Sequence, residues 1–209
     1  MPDFLTEEKF FKQGYRTIVG VDEAGRGALF GPVVASAVVM PLSARRRDLS
    51  EEIREIDDSK VLAPQKRTRL AGIILKEARS VGVGLATNFE IDRENIYWAS
   101  LKAMKRAIQN LSLRPDLLLI DGFQLRDVNC PQVCIPGGDG KSISIAAASI
   151  VAKVIRDKMM VLLDQVYEGY ALGKNKGYGT REHYLALRKK GPTPLHRFSF
   201  NLEHRKNGC

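Results

Sequence analysis

The chain has 209 residues, 44% of them hydrophobic, enough for one large domain with a full core. It holds no apolar run of 18 residues, which argues against a membrane span, and its acidic opening, Met1-Pro-Asp-Phe-Leu-Thr-Glu-Glu8, is unlike a signal peptide. The net charge is +9, and residues 151–209 carry 12 Lys/Arg against 5 Asp/Glu, a net of +7, an asymmetry that suits a polyanionic partner such as nucleic acid.

Residues 1–16 read as an arm or short helix. Thr17 to Asp22 reads as a strand, and Pro32 to Met40 as a second strand. The glycine-rich connection between them is short, so the pair is expected to be antiparallel. Residues 43–58 are charged and read as a loop or short helix. Pro64 opens a helix that runs to about Ala78, and Val81 to Phe89 reads as a third strand. Glu90 to Asn110 has helical spacing of its apolar residues. Asp116 to Asp121 is a fully buried strand ending in a carboxylate, and Val133 to Pro136 is a short strand. Ser144 is a candidate cap for a long helix with the stripe Ile145, Ala148, Ala152, Ile155, Met159, Leu162 and Val166. Glycines 169, 173, 177 and 179 predict a loop, and Thr180 to Lys190 a further helix capped by Thr180. The expected fold is α/β: a mixed central sheet flanked by helices over residues 17–168, with a basic C-terminal helical annex, 169–209, packed on it.

Asp22 and Asp121 each end an apolar strand, the edge of an α/β sheet where sites assemble. Glu23 follows Asp22 directly, and Asp139 lies in a Gly-Gly-Asp-Gly loop before the long helix. These four carboxylates can converge, and an all-oxygen set selects a hard cation, Mg²⁺ or Mn²⁺. Two such ions would suit phosphodiester hydrolysis. Asp-Gly is also an ordinary turn pair, so Asp121 and Asp139 each have a plain structural reading. Gly25-Arg26-Gly27 places a cation in a loop with little bulk, as a phosphate or sugar near a metal would require. Lys60, in Asp58-Ser59-Lys60, is a candidate phosphate contact, although an N-cap equally explains Asp58 or Ser59. Lys174, Lys176 and Tyr178 combine cations with one aromatic that can stack on a base or sugar, or form a surface loop. Asp157 reads as one half of a helix-surface ion pair. Gly140-Lys141-Ser142 lacks the upstream glycine of a P-loop, Ile135 standing there, and the spacing of Gly25, Gly27 and Gly31 misses a dinucleotide fingerprint by one place. Cys130, Cys134 and Cys209 read as free thiols of a reducing, cytoplasmic compartment.

Taken in order, the motifs resemble the type 2 ribonucleases H, specifically the bacterial ribonuclease HII family. They are Val21-Asp-Glu-Ala-Gly-Arg-Gly27 with Gly31-Pro-Val-Val34, Asp58-Ser-Lys60, Ile120-Asp-Gly122, Ser144 to Asp157, Lys176-Gly-Tyr-Gly-Thr180 and Gly191-Pro-Thr-Pro-Leu-His-Arg197. The resemblance implies a ribonuclease H-like fold and a metal-dependent endoribonuclease. It implies cleavage of the RNA strand in RNA–DNA hybrids and incision at ribonucleotides embedded in duplex DNA. It puts Asp22, Glu23, Asp121 and Asp139 on the metal-binding carboxylates, Gly25, Arg26 and Gly27 on the loop that senses the 2′-hydroxyl, and Tyr178 on the residue that stacks at the RNA–DNA junction. Ala28 replaces a usual proline and Val61 a usual lysine, changes that bear on loop stiffness and a phosphate contact. Other readings are a DNA nuclease on the same fold, or a silent protein that clamps hybrids. Nothing in the chain signals an oligomer, so a monomer is the default.

Overall fold

The computed structural model describes residues 1–42 and 50–203. Cys209 and the first part of the expected loop at 43–58 lie outside those residues. A five-stranded sheet has the order β3-β2-β1-β4-β5. Its strands are β1 (Ile18–Ala24), β2 (Val33–Val39), β3 (Ser80–Ala86), β4 (Leu117–Asp121) and β5 (Gln132–Ile135). β1 and β2 are antiparallel, as their short connection requires, and so are β2 and β3. β4 runs parallel to both β1 and β5. The sheet is therefore mixed, and β1, its centre, is buried over Ile18–Asp22.

The helices are α1 (Leu5–Lys12), α2 (Pro64–Glu77), α3 (Asn88–Gln109), α4 (Ile143–Val166), α5 (Leu172–Asn175) and α6 (Arg181–Lys190). Strand alternation divides the sheet into two apolar faces. Val19, Val21, Leu118 and Ile120 join Ala99, Ala103 and Met104 of α3 in one core. Ile18, Leu117 and Leu119 turn the other way, to Ile145 of α4. α2 and α4 pack together over that second face through Leu70, Ile74, Ala147 and Ile150. Gly20 makes this packing close. A Cβ at position 20 would stand 2.0 Å from the Ser144 carbonyl carbon, so strand and helix meet backbone to backbone.

Four local expectations change. The third strand stops at Ala86, because Thr87 caps α3 and closes a capping box with Glu90. α3 itself is broken at Asn95 (φ 69°, ψ 166°), whose side-chain oxygen accepts from the Tyr97 and Trp98 N–H groups and restarts the helix. Ser142, not Ser144, caps α4 by accepting from the Ile145 N–H at 3.3 Å. Ser144 instead lies inside the helix, where its N–H donates to the buried Glu7 carboxylate of α1 at 2.9 Å. Burial raises the pKa of Glu7. The expected glycine loop also contains the single turn α5. Among the described residues no helix is long and apolar enough to cross a membrane.

Candidate active site

β1 and β4 are parallel, and Val21 pairs with Ile120. One residue further, where that pairing stops, Asp22 and Asp121 stand side by side; Asp121 ends β4, while β1 runs on to Ala24. Both fall on the alternation that faces α4, two residues on from Gly20 and Leu119. The third carboxylate comes from the 3₁₀ turn Gly138–Gly140, which leads into α4. Asp121 holds that turn by accepting the Gly138 N–H at 2.8 Å. Asp22, Asp121 and Asp139 each bring a carboxylate oxygen within 4.8 Å of the others.

Glu23 stands outside this group for a simple reason. It follows Asp22 in the strand, so its side chain leaves from the other side, although its carboxylate stays close enough to interact with both Asp22 and Asp121. It meets Arg26 at 3.3 Å. Burial raises the pKa of Glu23, the Arg26 charge lowers it, and the Asp121 charge raises it again. Asp22 is pushed well up, first by burial and then by the charge of Glu23, with Asp121 adding to it and a Ser149 hydroxyl offsetting part. Two nearly buried carboxylates, Asp22 and Asp139 (4% and 5% exposed), beside a third, form a set whose mutual repulsion a divalent cation would relieve. The donors are all oxygen, with no thiolate or imidazole among them, which fits Mg²⁺ or Mn²⁺. Lys60 reaches into the same place, its ammonium 3.1 Å from Asp139 Oδ2.

The glycine-rich loop lies beside the carboxylates. Gly25 has φ 95°, and a Cβ there would lie 1.9 Å from Arg156 Nε, so this glycine is required by the fold. Gly27 is different: the nearest atom to a Cβ there is Tyr178 Cε1, at 4.0 Å. The loop and Tyr178 thus lie side by side, and Ala28 forms a bridge pair with Tyr178. Lys153 Nζ and Arg156 Cζ each lie 5.5 Å from the centre of the tyrosine ring.

The remaining sequence candidates are placed as follows. Ser59 does not face an open surface: it is buried, and its hydroxyl lies 2.9 Å from that of Ser149. That contact ties the Lys60 turn to α4. Lys174 is exposed and pairs with Glu182 at 2.5 Å. Lys176 turns its ammonium back onto the Gly173 carbonyl. Asp157 bonds Lys153 at 2.7 Å and Arg67 at 3.4 Å, the ion pair expected of it.

Two arginines had no assigned role in the sequence and prove central. Arg156 is fully buried, and its guanidinium donates to the main-chain oxygens of Pro32, Lys176 and Phe30 at 3.1, 2.7 and 3.1 Å. Arg197, equally buried, donates to those of Gly31 and Arg26 at 2.9 and 2.7 Å. Burial, with the Arg156 charge nearby, pulls Arg197 down to about 9. Together they clamp both ends of the loop and tie it to the C-terminal segment. No local signal singles them out: Lys153 and Asp157 stand beside Arg156, and His196 beside Arg197.

A mixed five-stranded sheet with helices on both faces and an acidic group at its strand ends defines a ribonuclease H-like protein. The comparisons with known proteins narrow that class. The family model described as ribonuclease HII matches residues 19–203, and the chain belongs to that family of type 2 ribonucleases H, which are hydrolases. It is 50% identical to the ribonuclease HII of Moorella thermoacetica over 94% of this chain and 92% of that protein. It is 49% identical to the ribonuclease HII of Geobacter metallireducens over 90% of this chain and 85% of that protein. Among solved structures, ribonuclease H2 from Pyrococcus horikoshii superposes with a TM-score of 0.71 at 25% identity, covering 89% of this chain and 94% of that one.

Proposed function

We propose that this chain is a metal-dependent endoribonuclease that cuts the RNA strand of RNA–DNA hybrids and incises at ribonucleotides embedded in duplex DNA. The observation that carries the reading is the meeting of Asp22, Asp121 and Asp139 within 4.8 Å, beside a glycine-rich loop that faces an aromatic ring. These three carboxylates, with Glu23, would hold Mg²⁺ or Mn²⁺. The metal, acting as a pair of ions, would supply an activated water and stabilise the leaving oxygen.

The other residues then have separate tasks. Gly27 and Tyr178 lie side by side and present one surface to a sugar, and the loop's main chain with Arg26 reads the 2′-hydroxyl, the group that separates RNA from DNA. Arg26 is oriented for this by two contacts, Glu23 at 3.3 Å and the Phe123 ring at 4.8 Å from its guanidinium carbon. Tyr178 stacks on the nucleotide at the RNA–DNA junction. Lys60, Lys174 and Lys176 neutralise backbone phosphates, so binding weakens as salt rises.

A duplex with a single ribonucleotide, incubated with and without Mg²⁺, tests the reading. Cleavage at the ribonucleotide only with the metal is the expected result. Equal cutting of an all-DNA duplex, or cleavage unaffected by a chelator, would overturn it.

A further inference from the structure

Tyr178 is joined through its main chain to a buried polar chain that the reading above does not use. His183 lies in the first turn of α6, and His196 lies in the Pro-rich segment beyond it; both are 0% exposed. Their Nε2 atoms face each other at 3.1 Å. Such a contact requires a proton on one nitrogen and none on the other.

The remaining ring nitrogens decide which. Nδ1 of His196 accepts the Thr193 backbone N–H at 2.9 Å, with the Thr193 hydroxyl 3.0 Å away. The proton of His196 is therefore on Nε2, and it is donated to His183. His183 in turn carries its proton on Nδ1, which donates to the Tyr178 carbonyl oxygen at 3.0 Å. The chain has one direction, from Thr193 through His196 and His183 to Tyr178, and no ring nitrogen in it lacks a partner. Both rings are neutral, since a second proton on either would set two donors head to head.

The surroundings hold the rings still. The His196 ring lies edge-on to Phe30, centroids 4.9 Å apart, and 5.1 Å from Tyr170. Phe30 also forms a bridge pair with His196, and it belongs to the end of the glycine-rich loop. One histidine thus touches the loop, and its partner holds the tyrosine beside it.

We infer that His183 and His196 are positioning residues: one directed hydrogen-bond chain sets the Tyr178 main chain, and with it the angle at which the ring faces Gly27. This rests on Tyr178 being the residue that stacks on the nucleotide. Two substitutions separate positioning from packing. His183→Asn places its amide nitrogen where Nδ1 stands and keeps the donor to Tyr178. His183→Gln reaches toward His196 and leaves the Tyr178 carbonyl without that donor.

The readout is the ratio of cleavage rates on a single embedded ribonucleotide and on a uniform RNA–DNA hybrid, for wild type, Tyr178→Ala and both His183 variants. His183→Gln should lower the ratio about fivefold, the worth of one hydrogen bond, in the same direction as Tyr178→Ala. His183→Asn should stay within about twofold of wild type. Nitrogen NMR of the wild-type protein gives a second, activity-free readout: His183 protonated on Nδ1 and His196 on Nε2. Equal ratios for the Asn and Gln variants, or the same tautomer on both rings, would overturn the inference while leaving the role of Tyr178 standing. An unchanged ratio for Tyr178→Ala would remove that role, and the positioning inference with it.

Discussion

The acidic edge of the site comes from strand register, whereas the glycine-rich edge opposite is held by buried cations and imidazoles from α4 and the C-terminal segment. Asp22 and Asp121 become neighbours because each follows the last pair of one parallel register, Val21 with Ile120. Nothing beyond pairing and alternation is needed. The loop from Gly25 to Pro32 has no ladder to satisfy its carbonyls, and four of them are met by Arg156 and Arg197 instead. The first edge is therefore robust in shape but electrostatically unfavourable until a cation arrives. The second has its carbonyls met, although Arg197 Nη2 is buried without a partner, and it depends on distant residues for its shape. A site of this kind can lose chemistry without losing its fold at one edge, and lose both together at the other.

The sharpest way to break that comparison is at the carboxylates. Asp22→Asn or Asp121→Asn should lower cleavage on the order of 1000-fold, several kcal/mol of charge stabilisation at the metal. The unfolding temperature without metal should stay level or rise, because each change removes a repelling charge. Thermal melts beside the rate assay check both, and near-wild-type rates would end the assignment.

At the loop edge two glycines should part company. Gly25→Ala meets Arg156 and a positive φ, so it should cost about 2–4 kcal/mol of stability. Gly27→Val has room in the fold but fills the space beside Tyr178. It should slow hydrolysis about 100-fold, as misplaced substrate does, with a much smaller change in melting. If Gly27→Val cuts normally, the sugar does not pack against Gly27.

Acid should also find the loop edge first. Burial, with the neighbouring His183, lowers His196 to about 4, so the folded state holds this ring neutral while the unfolded chain protonates it near 6.5. Its contribution is full above pH 6.5 and is lost as pH falls toward 4, by about 3 kcal/mol at the limit. Glu90, held down to about 2 chiefly by its bond to Arg106, gives way from 4.5 downward, mostly below that window. Stability measured from pH 7 to 4 should fall in the wild type and fall less in His196→Asn. Parallel curves would mean that the pair does not titrate as described.

The smallest effect is expected at Tyr178. Stacking contributes roughly 1–3 kcal/mol, so Tyr178→Ala should lose most activity on one embedded ribonucleotide and less on a long hybrid. Tyr178→Phe keeps the ring and should retain much of the rate. A side-by-side cleavage series at one salt concentration decides it, and equal losses on both substrates would point to general binding.

The two edges also differ in how far the sequence exposes them. Apolar runs that end in Asp22 and Asp121 announce both strands and the sheet edge they share. The alternation by which Glu23 approaches the group from the other side was present in the same run. Thr87 and Glu90 are likewise a Thr-x-x-Glu capping signature, so the boundary of α3 was legible in principle. Ser142 and Ser144 are equivalent to any local rule, and only the close approach of Gly20 to α4 decides between them. Arg156 and Arg197 sit in a basic quarter of the chain, where a buried arginine looks like a solvated one. Their partners are main-chain carbonyls more than 100 residues away in most cases, and no spacing rule reaches that far.

The contact at Gly20 has a consequence for how this protein can vary. Side chains in a core are compressible in the evolutionary sense: one enlarges, its neighbour shrinks, and the elements drift. Where Gly20 meets Ser144 there is no side chain to trade, and the separation of β1 from the start of α4 is a hard stop. Asp22 lies two residues beyond one side of that stop, and Asp139 lies five residues before the other. Substitutions elsewhere in the two cores can accumulate without changing the gauge of the acidic group, at the cost of one position where no replacement is tolerated.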